Sequence, residues 1–396
     1  MSFLDAWFLS SSALSGTGLT TITLTDYLNP FSEFCLMLEM QIGGIGIMVV
    51  IGGLILIIQK EMSLPQITLM GFGQNQRNIK NMIFFIVSFS LAVELIGMLL
   101  VFPAVIEHTG SMPQALMKSA FHSISSFTHA SLDLFGGNVY PFTGNPLFLL
   151  TTVALITIGG LGFPTIWELI AFRKHKKSLF TKVNLRIHGL LLLGGTLLLL
   201  LIEWNGVFSP LSVEDKLSNG LFLSAGSRNS GYSSVDLALL NPGSLMLIMV
   251  LMFIGGSASS CAGGIRMTTL AVLAAKAKSA FQGKADIVIM KKSLYDEDVM
   301  KAYLMFFVFA SLYLFSTILL VSIERHPPEA VAFEVMSAMT STGFSVGITP
   351  GLTAFSQIWL SILMIIGKIG LIPIVYSVMD AKKSAIKYAK ESIMAG

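Results

Sequence analysis

Four short runs of small, mostly hydroxyl-bearing residues and glycine recur along this chain: Gly16-Thr17-Gly18, His129-Ala130-Ser131, Asn229-Ser230-Gly231 and Ser341-Thr342-Gly343. Residue types of this kind suit the coordination of a dehydrated monovalent cation, which needs several oxygens at close range and finds them in converging backbone carbonyls. Glycine lets a backbone turn those carbonyls towards an axis without a Cβ penalty. The hydroxyls of Ser15, Thr17, Thr128, Ser230, Ser341 and Thr342 can brace such a backbone or meet ions and water. No ring of carboxylates accompanies the runs, so a dedicated divalent site is not expected. Taken singly, each run is as well explained by close packing of membrane helices. Four copies at the same place in a repeat point instead to one shared site.

The elements that must position these runs are apolar. Of 396 residues, 54% are hydrophobic and only 12% charged, against about 25% charged in soluble domains. An integral, multi-pass protein of the cell membrane is therefore expected, and the small net charge of +3, without a basic stripe, gives no support for a nucleic-acid partner. Cys35 and Cys261 both lie in apolar segments and imply no disulfide framework. The histidines show no metal-ligand spacing, and no catalytic triad or paired-carboxylate site appears, so an enzyme is not expected.

About 20 apolar residues cross a bilayer core. Seven segments qualify, at 34–58, 82–106, 146–171, 187–204, 243–275, 299–323 and 355–379. Four shorter stretches, at 3–15, 115–128, 216–228 and 329–341, lead into the four runs and read as re-entrant helices, which are tolerated at membrane depth only where they line a cavity or are buried in protein. Nineteen of the 25 lysines and arginines fall in four places, around 60–80, 173–186 and 276–301 and at 382–390. The positive-inside rule makes these places cytoplasmic, with anionic lipid as one explanation of their charge. Glu107, Glu203 and Glu324 mark the opposite side. Met1–Ser15 has no basic n-region and reads as the first re-entrant stretch, not as a signal peptide.

The fold class expected is all-α and polytopic, with four pseudo-symmetric helix–pore loop–helix repeats around a central ion pathway. The repeats occupy 1–60, 79–175, 185–285 and 299–396, the last with a cytoplasmic tail and the first without a leading helix. The key positions are Gly18, Ser131, Gly231 and Gly343, spaced by 100 to 113 residues. The fifth span is interrupted by Gly255, Gly256, Ser257, Ala258, Ser259, Ser260, Cys261, Ala262, Gly263 and Gly264. Each interior glycine costs a helix about 1 kcal/mol relative to alanine, so this stretch reads as a flexible intramembrane loop or a packing kink. Its glycine-bearing counterparts in the first, third and seventh spans read as less disrupted. Lys368, inside an apolar helix, is expected to face the pathway and contact the Gly255–Gly264 loop, with snorkelling to the interface as the alternative. Glu39 and Glu94 are expected to be hydrogen-bonded structural groups. Asp133 and Asp236 suit either cation attraction at the mouth or turn and cap roles. His129 is expected to contribute its backbone, with its ring packed or hydrogen-bonded behind the loop.

At SGTGLTTITLTDYLNPFSE, QIGGIGIMV, FHSISSFTHASLDLF, TIGGLGFPTIWEL, SRNSGYSSVDL, FIGGSASSCAGGIRMTTLAV and MTSTGFSVGITP the chain resembles the pore subunits of the Trk/Ktr/HKT superfamily of potassium transporters, and the Ktr type above all. The resemblance runs from Ser15 nearly to the end. It implies uptake of potassium, with sodium as a second ion, through a filter of the four runs. It also implies a gate formed by the Gly255–Gly264 loop with Lys368, a homodimer in the membrane, and an octameric cytoplasmic ring of RCK subunits that carries the nucleotide. The chain itself has no phosphate-binding glycine loop on a βαβ unit. Three positions depart from the family pattern: the missing leading helix, Ser131 where glycine is usual, and Lys368 where many relatives have arginine, which loses the bidentate guanidinium. A serine at such a place goes with poorer potassium selectivity in the plant branch, so a sodium-permeable pore and a non-conducting membrane scaffold stand as alternatives. A solute transporter with an inverted repeat does not fit four parallel copies.

Overall fold

The computed structural model describes residues 1–46, 79–171, 177–284 and 286–369. In chain order the helices are α1 (Phe3–Ser15), α2 (Leu24–Tyr27), α3 (Pro30–Ile45), α4 (Ile79–Thr109), α5 (Met112–Thr128), α6 (Pro146–Gly160), α7 (Phe163–Ala171), α8 (Leu179–Glu203), α9 (Val213–Gly226), α10 (Pro242–Phe253), α11 (Met267–Phe281), α12 (Asp296–Val321), α13 (Pro328–Met339) and α14 (Ala354–Ile369). A short antiparallel pair, β1 (Val288–Ile289) and β2 (Lys292–Ser293), links α11 to α12.

Among the described residues, three helices, α4, α8 and α12, are long and apolar enough to cross a membrane unbroken. At 1.5 Å per residue the 25 residues of α8 rise about 38 Å, more than the roughly 30 Å hydrocarbon core. Their outward faces are leucine- and phenylalanine-rich and exposed, including Leu91, Leu95 and Leu99 on α4, Leu193, Leu197 and Leu201 on α8, and Phe307, Leu314 and Ile318 on α12. Exposed apolar surface on this scale is what a lipid-facing helix presents.

The four helices α1, α5, α9 and α13 are too short to cross, with 12 to 17 residues each. Each starts on a helix-initiating signal. Ser2 and Asp5 form a capping box on α1, and the Ser212 hydroxyl accepts from Asp215 N on α9. Proline opens α5 and α13. Their inner turns bury hydroxyls beside apolar groups, as at Ser12, Ser15, Ser125, Thr128 and Ser337.

Three of the helices that follow begin alike. Asn29-Pro30, Asn145-Pro146 and Asn241-Pro242 each place an asparagine cap before a proline at the first helical turn. Glu203, at the end of α8, accepts from Asn241 N at 2.8 Å, and Glu324, just past α12, accepts from Thr353 N at 3.0 Å before α14. These two glutamates, expected to mark one side of the membrane, therefore also clamp the entries of α10 and α14.

One expectation about the spans changes. The stretch 146–171 is not one continuous helix, because α6 and α7 meet at a bend of 97°. Gly162 sits there at φ +83, and a Cβ on it would come within 2.7 Å of the Ala258 carbonyl. The third span is thus broken, as the fifth is, and its glycines admit the segment between α10 and α11. The expected spans 34–58 and 355–379 are seen as α3 and α14, and their remainders lie outside the described residues, as do the basic clusters at 60–77, 173–176 and 382–390.

Candidate functional site

The four runs meet. A Cβ added to Gly18 would overlap Ser131, one on Gly231 would overlap Gly343, and one on Gly343 would overlap the Thr17 carbonyl. The third residue of every run therefore touches the third residue of a neighbour. Close approach of this kind admits only the smallest residues, which accounts for glycine at three of the four places.

The backbone form also recurs. The first residue of each run is left-handed, with φ of +62 at Gly16, +63 at His129, +73 at Asn229 and +53 at Ser341. The third residue is left-handed in three of them, at +97 for Gly18, +57 for Ser131 and +93 for Gly343, while Gly231 is not among the positive-φ residues. In the first and fourth runs the bracing is the same. Ser12 Oγ accepts from Gly18 N and Ser337 Oγ from Gly343 N, each at 2.9 Å, and Ser15–Thr17 and Thr340–Thr342 form matching hydroxyl pairs at 2.7 Å. In the second, Ser125 Oγ bonds both N and O of Leu132 at 2.9 Å.

Glycines on the following helices let those helices seat against the ends of α1, α5 and α13. A Cβ on Gly43, Gly159 or Gly367 would overlap the carbonyl of Leu14, Phe127 or Met339, respectively. The third copy is different, because Gly255 is covered by its own segment, at Gly263.

Behind the second and third runs the side chains are polar and buried. His129 places Nδ1 2.8 Å from the Asn229 carbonyl and Nε2 2.9 Å from the Ile156 carbonyl, so its ring ties the second run to the third and to α6. The Asn229 amide donates to Thr340 O, reaching the fourth run. Tyr232 OH donates to Leu132 O at 2.6 Å. Arg228, 4% exposed, donates to His188 O at 3.2 Å and lies 3.2 Å from His188 Nδ1. Asn229 Oδ1 and Ser230 Oγ are buried without a hydrogen-bond partner among the described residues.

The segment 254–266 leaves the helical path and docks on the α6–α7 bend. Ser257 N donates to Gly160 O and Cys261 N to Gly159 O, both at 3.1 Å, and Phe163 N donates to Ser259 O at 3.0 Å. Two of its own strand-like bonds close it, Gly255 N to Ile265 O at 2.8 Å and Met267 N to Gly256 O at 3.1 Å. A Cβ on Gly263 would stand 2.9 Å from Ser341 Cβ, so the segment passes directly beside the fourth run. Two cations hold it: Lys368 Nζ donates to Cys261 O, and Arg266 donates to Ala262 O and, at 3.4 Å, to Ser257 O. A Cβ on Gly16 would lie 2.9 Å from Lys368 Nζ, which puts that ammonium immediately beside the first run.

Among the other candidates, Glu94 is buried and accepts from Gln41 at 2.6 Å. Glu39 is half-buried on α3. Asp133 accepts from Phe135 N and Gly136 N, and Asp236 caps the turn at Ala238 N. Both aspartates thus make turn and cap bonds. Arg228 and Arg266 join the site without having been expected there. Their signal was available: both are cations in apolar sequence outside the four basic clusters, where a charge needs a partner or a function.

A profile of the TrkH family, described as cation transport protein, matches residues 1–385. The chain belongs to the TrkH family of cation transport proteins. It is thus a multi-pass membrane protein of the Trk/Ktr/HKT transporters and not an enzyme. Among TrkH-family relatives, the potassium/sodium uptake protein NtpJ of Enterococcus hirae is 32% identical over all of this chain and 90% of its own length. Ktr system potassium uptake protein D of Bacillus subtilis is likewise 32% identical over the same shares. The crystal structure of the potassium transporter TrkH from Vibrio parahaemolyticus has the same fold, with a TM-score of 0.79 at 18% identity, covering 96% of this chain and 79% of that one.

Proposed function

We propose that this TrkH-family chain is the membrane pore subunit of a potassium uptake system, with sodium as a second permeant ion. The observation that carries the reading is the meeting of four loops with a recurring left-handed backbone at Gly16–Gly18, His129–Ser131, Asn229–Gly231 and Ser341–Gly343. Ions pass between these loops and shed water against carbonyl oxygens. The free oxygens of Asn229 and Ser230 offer further ligands. The short helices α1, α5, α9 and α13 direct the negative ends of their dipoles at the same place, which favours a cation there. Relatives named for potassium and for potassium/sodium uptake support the choice of ion.

Past the filter, the segment Gly255–Gly264 is the gate, and Lys368 and Arg266 are its latches. An ammonium on the ion path opposes a second cation by charge alone, and its bond to Cys261 O keeps the segment across the path. Opening requires that bond to yield. A homodimer of the chain on a cytoplasmic, nucleotide-binding RCK ring would supply the work, and the Ktr system named for one relative supports a multi-component assembly. The repeats at 1–60, 79–175, 185–285 and 299–396 are the quadrants of this pore.

The test is uptake of potassium and sodium in a bacterial strain deficient in potassium uptake, with and without a Ktr-type ring partner. Potassium uptake that depends on the partner is expected. Absence of uptake of either ion, with the chain inserted in the membrane and the partner present, would overturn the reading in favour of a non-conducting scaffold.

A further inference from the structure

The four loops are not joined to one another evenly. Among the described residues no hydrogen bond links the first loop to another, and the segment after it is tied back to its own helix, Thr21 Oγ1 donating to Asp5 at 2.8 Å. The segment after the fourth loop is likewise held by its own helix. There Glu334 accepts from Ser345 Oγ at 2.5 Å, Val346 N at 3.1 Å and Thr349 Oγ1 at 2.8 Å.

The second and third loops are tied to each other instead. Within the runs, Gly231 N donates to Ser131 Oγ at 2.6 Å, and His129 Nδ1 lies 2.8 Å from the Asn229 carbonyl. Past the runs, Asn138 Oδ1 accepts from Ser233 N at 2.9 Å, and Asn138 Nδ2 donates to Gly231 O at 3.4 Å. Asn138 holds both groups from a left-handed backbone, φ +61. Val139 N donates to Ser233 O at 3.4 Å and Thr143 Oγ1 to Ser234 O at 2.6 Å.

Tyr232 stands at the centre of these ties. The residue after the key position is Leu19, Leu132, Tyr232 and Phe344 in the four copies, so only the third carries a hydroxyl. Tyr232 is fully buried, with its ring centroid 4.9 Å from that of His122. Its hydroxyl donates at 2.6 Å to the carbonyl of Leu132, the residue at the same place in the second loop. Ser125 Oγ donates to that carbonyl too, at 2.9 Å. The oxygen therefore keeps a partner when the phenol is removed.

We propose that the second and third loops form one joined unit of the filter, with Tyr232 and Asn138 as its positioning residues. The Tyr232 hydroxyl and the Asn138 amide set the spacing of the two loops and thereby the choice between potassium and sodium. This rests on the filter reading above. A cage of oxygens discriminates between ions by their number and distance, and a spacing held by buried hydrogen bonds resists closing onto a smaller ion. The Asn229 amide, bonded to Thr340 O, adds the fourth loop to the unit.

The experiment compares the parent with Tyr232→Phe and Asn138→Gly, in the full chain with its ring partner. It reads the potassium-to-sodium uptake ratio and the melting temperature of the purified protein. Tyr232→Phe removes one oxygen and leaves the ring. The ratio is expected to fall about fivefold, the worth of one buried hydrogen bond, while the melting temperature stays within about 4 °C of the parent. Asn138→Gly removes both amide bonds and suits the left-handed backbone; it is expected to lower the ratio at least as far, and it decides the matter if Tyr232→Phe does not fold. A ratio that rises or stays within about twofold of the parent in both variants, whether or not melting changes, would overturn the joined unit and leave the filter reading in place. A parent that takes up neither ion would overturn the filter reading, and the joined unit with it.

Discussion

Neutralising Lys368 is the sharpest perturbation of the proposed gate. Its ammonium donates to Cys261 O and would stand 2.9 Å from a Cβ on Gly16, so it lies between the 254–266 segment and the first loop. A potassium ion about 4 Å from it, in surroundings of effective dielectric near 20, meets about 4 kcal/mol of repulsion. Screening by water along the path removes about half of this, leaving about 2 kcal/mol, or roughly 30-fold in rate. Lys368→Gln removes the charge and keeps a hydrogen-bond donor one bond shorter. Initial rates of potassium uptake into vesicles, without ring partner and at matched protein levels, are expected to rise about 30-fold in that variant. Lys368→Arg should stay near the parent rate, because the charge is retained. Equal rates for Lys368→Gln and the parent, within about twofold, would refute the electrostatic barrier.

Other consequences follow from the same geometry. Gly343→Ala puts a methyl group into the Thr17 carbonyl at a backbone φ of +93, and is expected to abolish uptake while the protein still inserts, as judged by size-exclusion chromatography of the purified chain. Arg266→Gln weakens the hold on Ala262 O and Ser257 O; partner-independent uptake should rise, by a smaller factor than for Lys368→Gln. Glu203 accepts from Asn241 N, Ser244 Oγ and Val207 N while almost fully buried. Glu203→Gln should destabilise the protein by about 1–3 kcal/mol, seen as a lower melting temperature with the potassium-to-sodium ratio unchanged.

Much of this was legible in one dimension. The low charge content and the long apolar runs demand a membrane, since only lipid accepts the leucine faces of α4, α8 and α12. The repeat of apolar helix, hydroxyl cluster and glycine is a statement about local conformation, and the left-handed residues at 16, 129, 229 and 341 sit where it predicts turns. The interruption at 255–264 was equally plain, because consecutive glycines remove helix propensity wherever they occur.

What the sequence could not contain is which polar group meets which. The glycines around Gly162 suggest a mild kink, yet the chain turns there by 97°, because the segment from Ser257 to Ser259 docks into the bend from a different part of the chain. Arg228 and Arg266 are only charges along the string of residues, and become part of a site once tertiary contact gives them carbonyls to hold. Ser131 reads as a lost glycine; only the fold sets its hydroxyl against Gly231 N, 100 residues away. Composition and period depend on neighbours along the chain and are therefore fixed by the order of residues. Hydrogen-bond partners across loops depend on distances of a few tenths of an ångström, and those exist only once the four copies have packed.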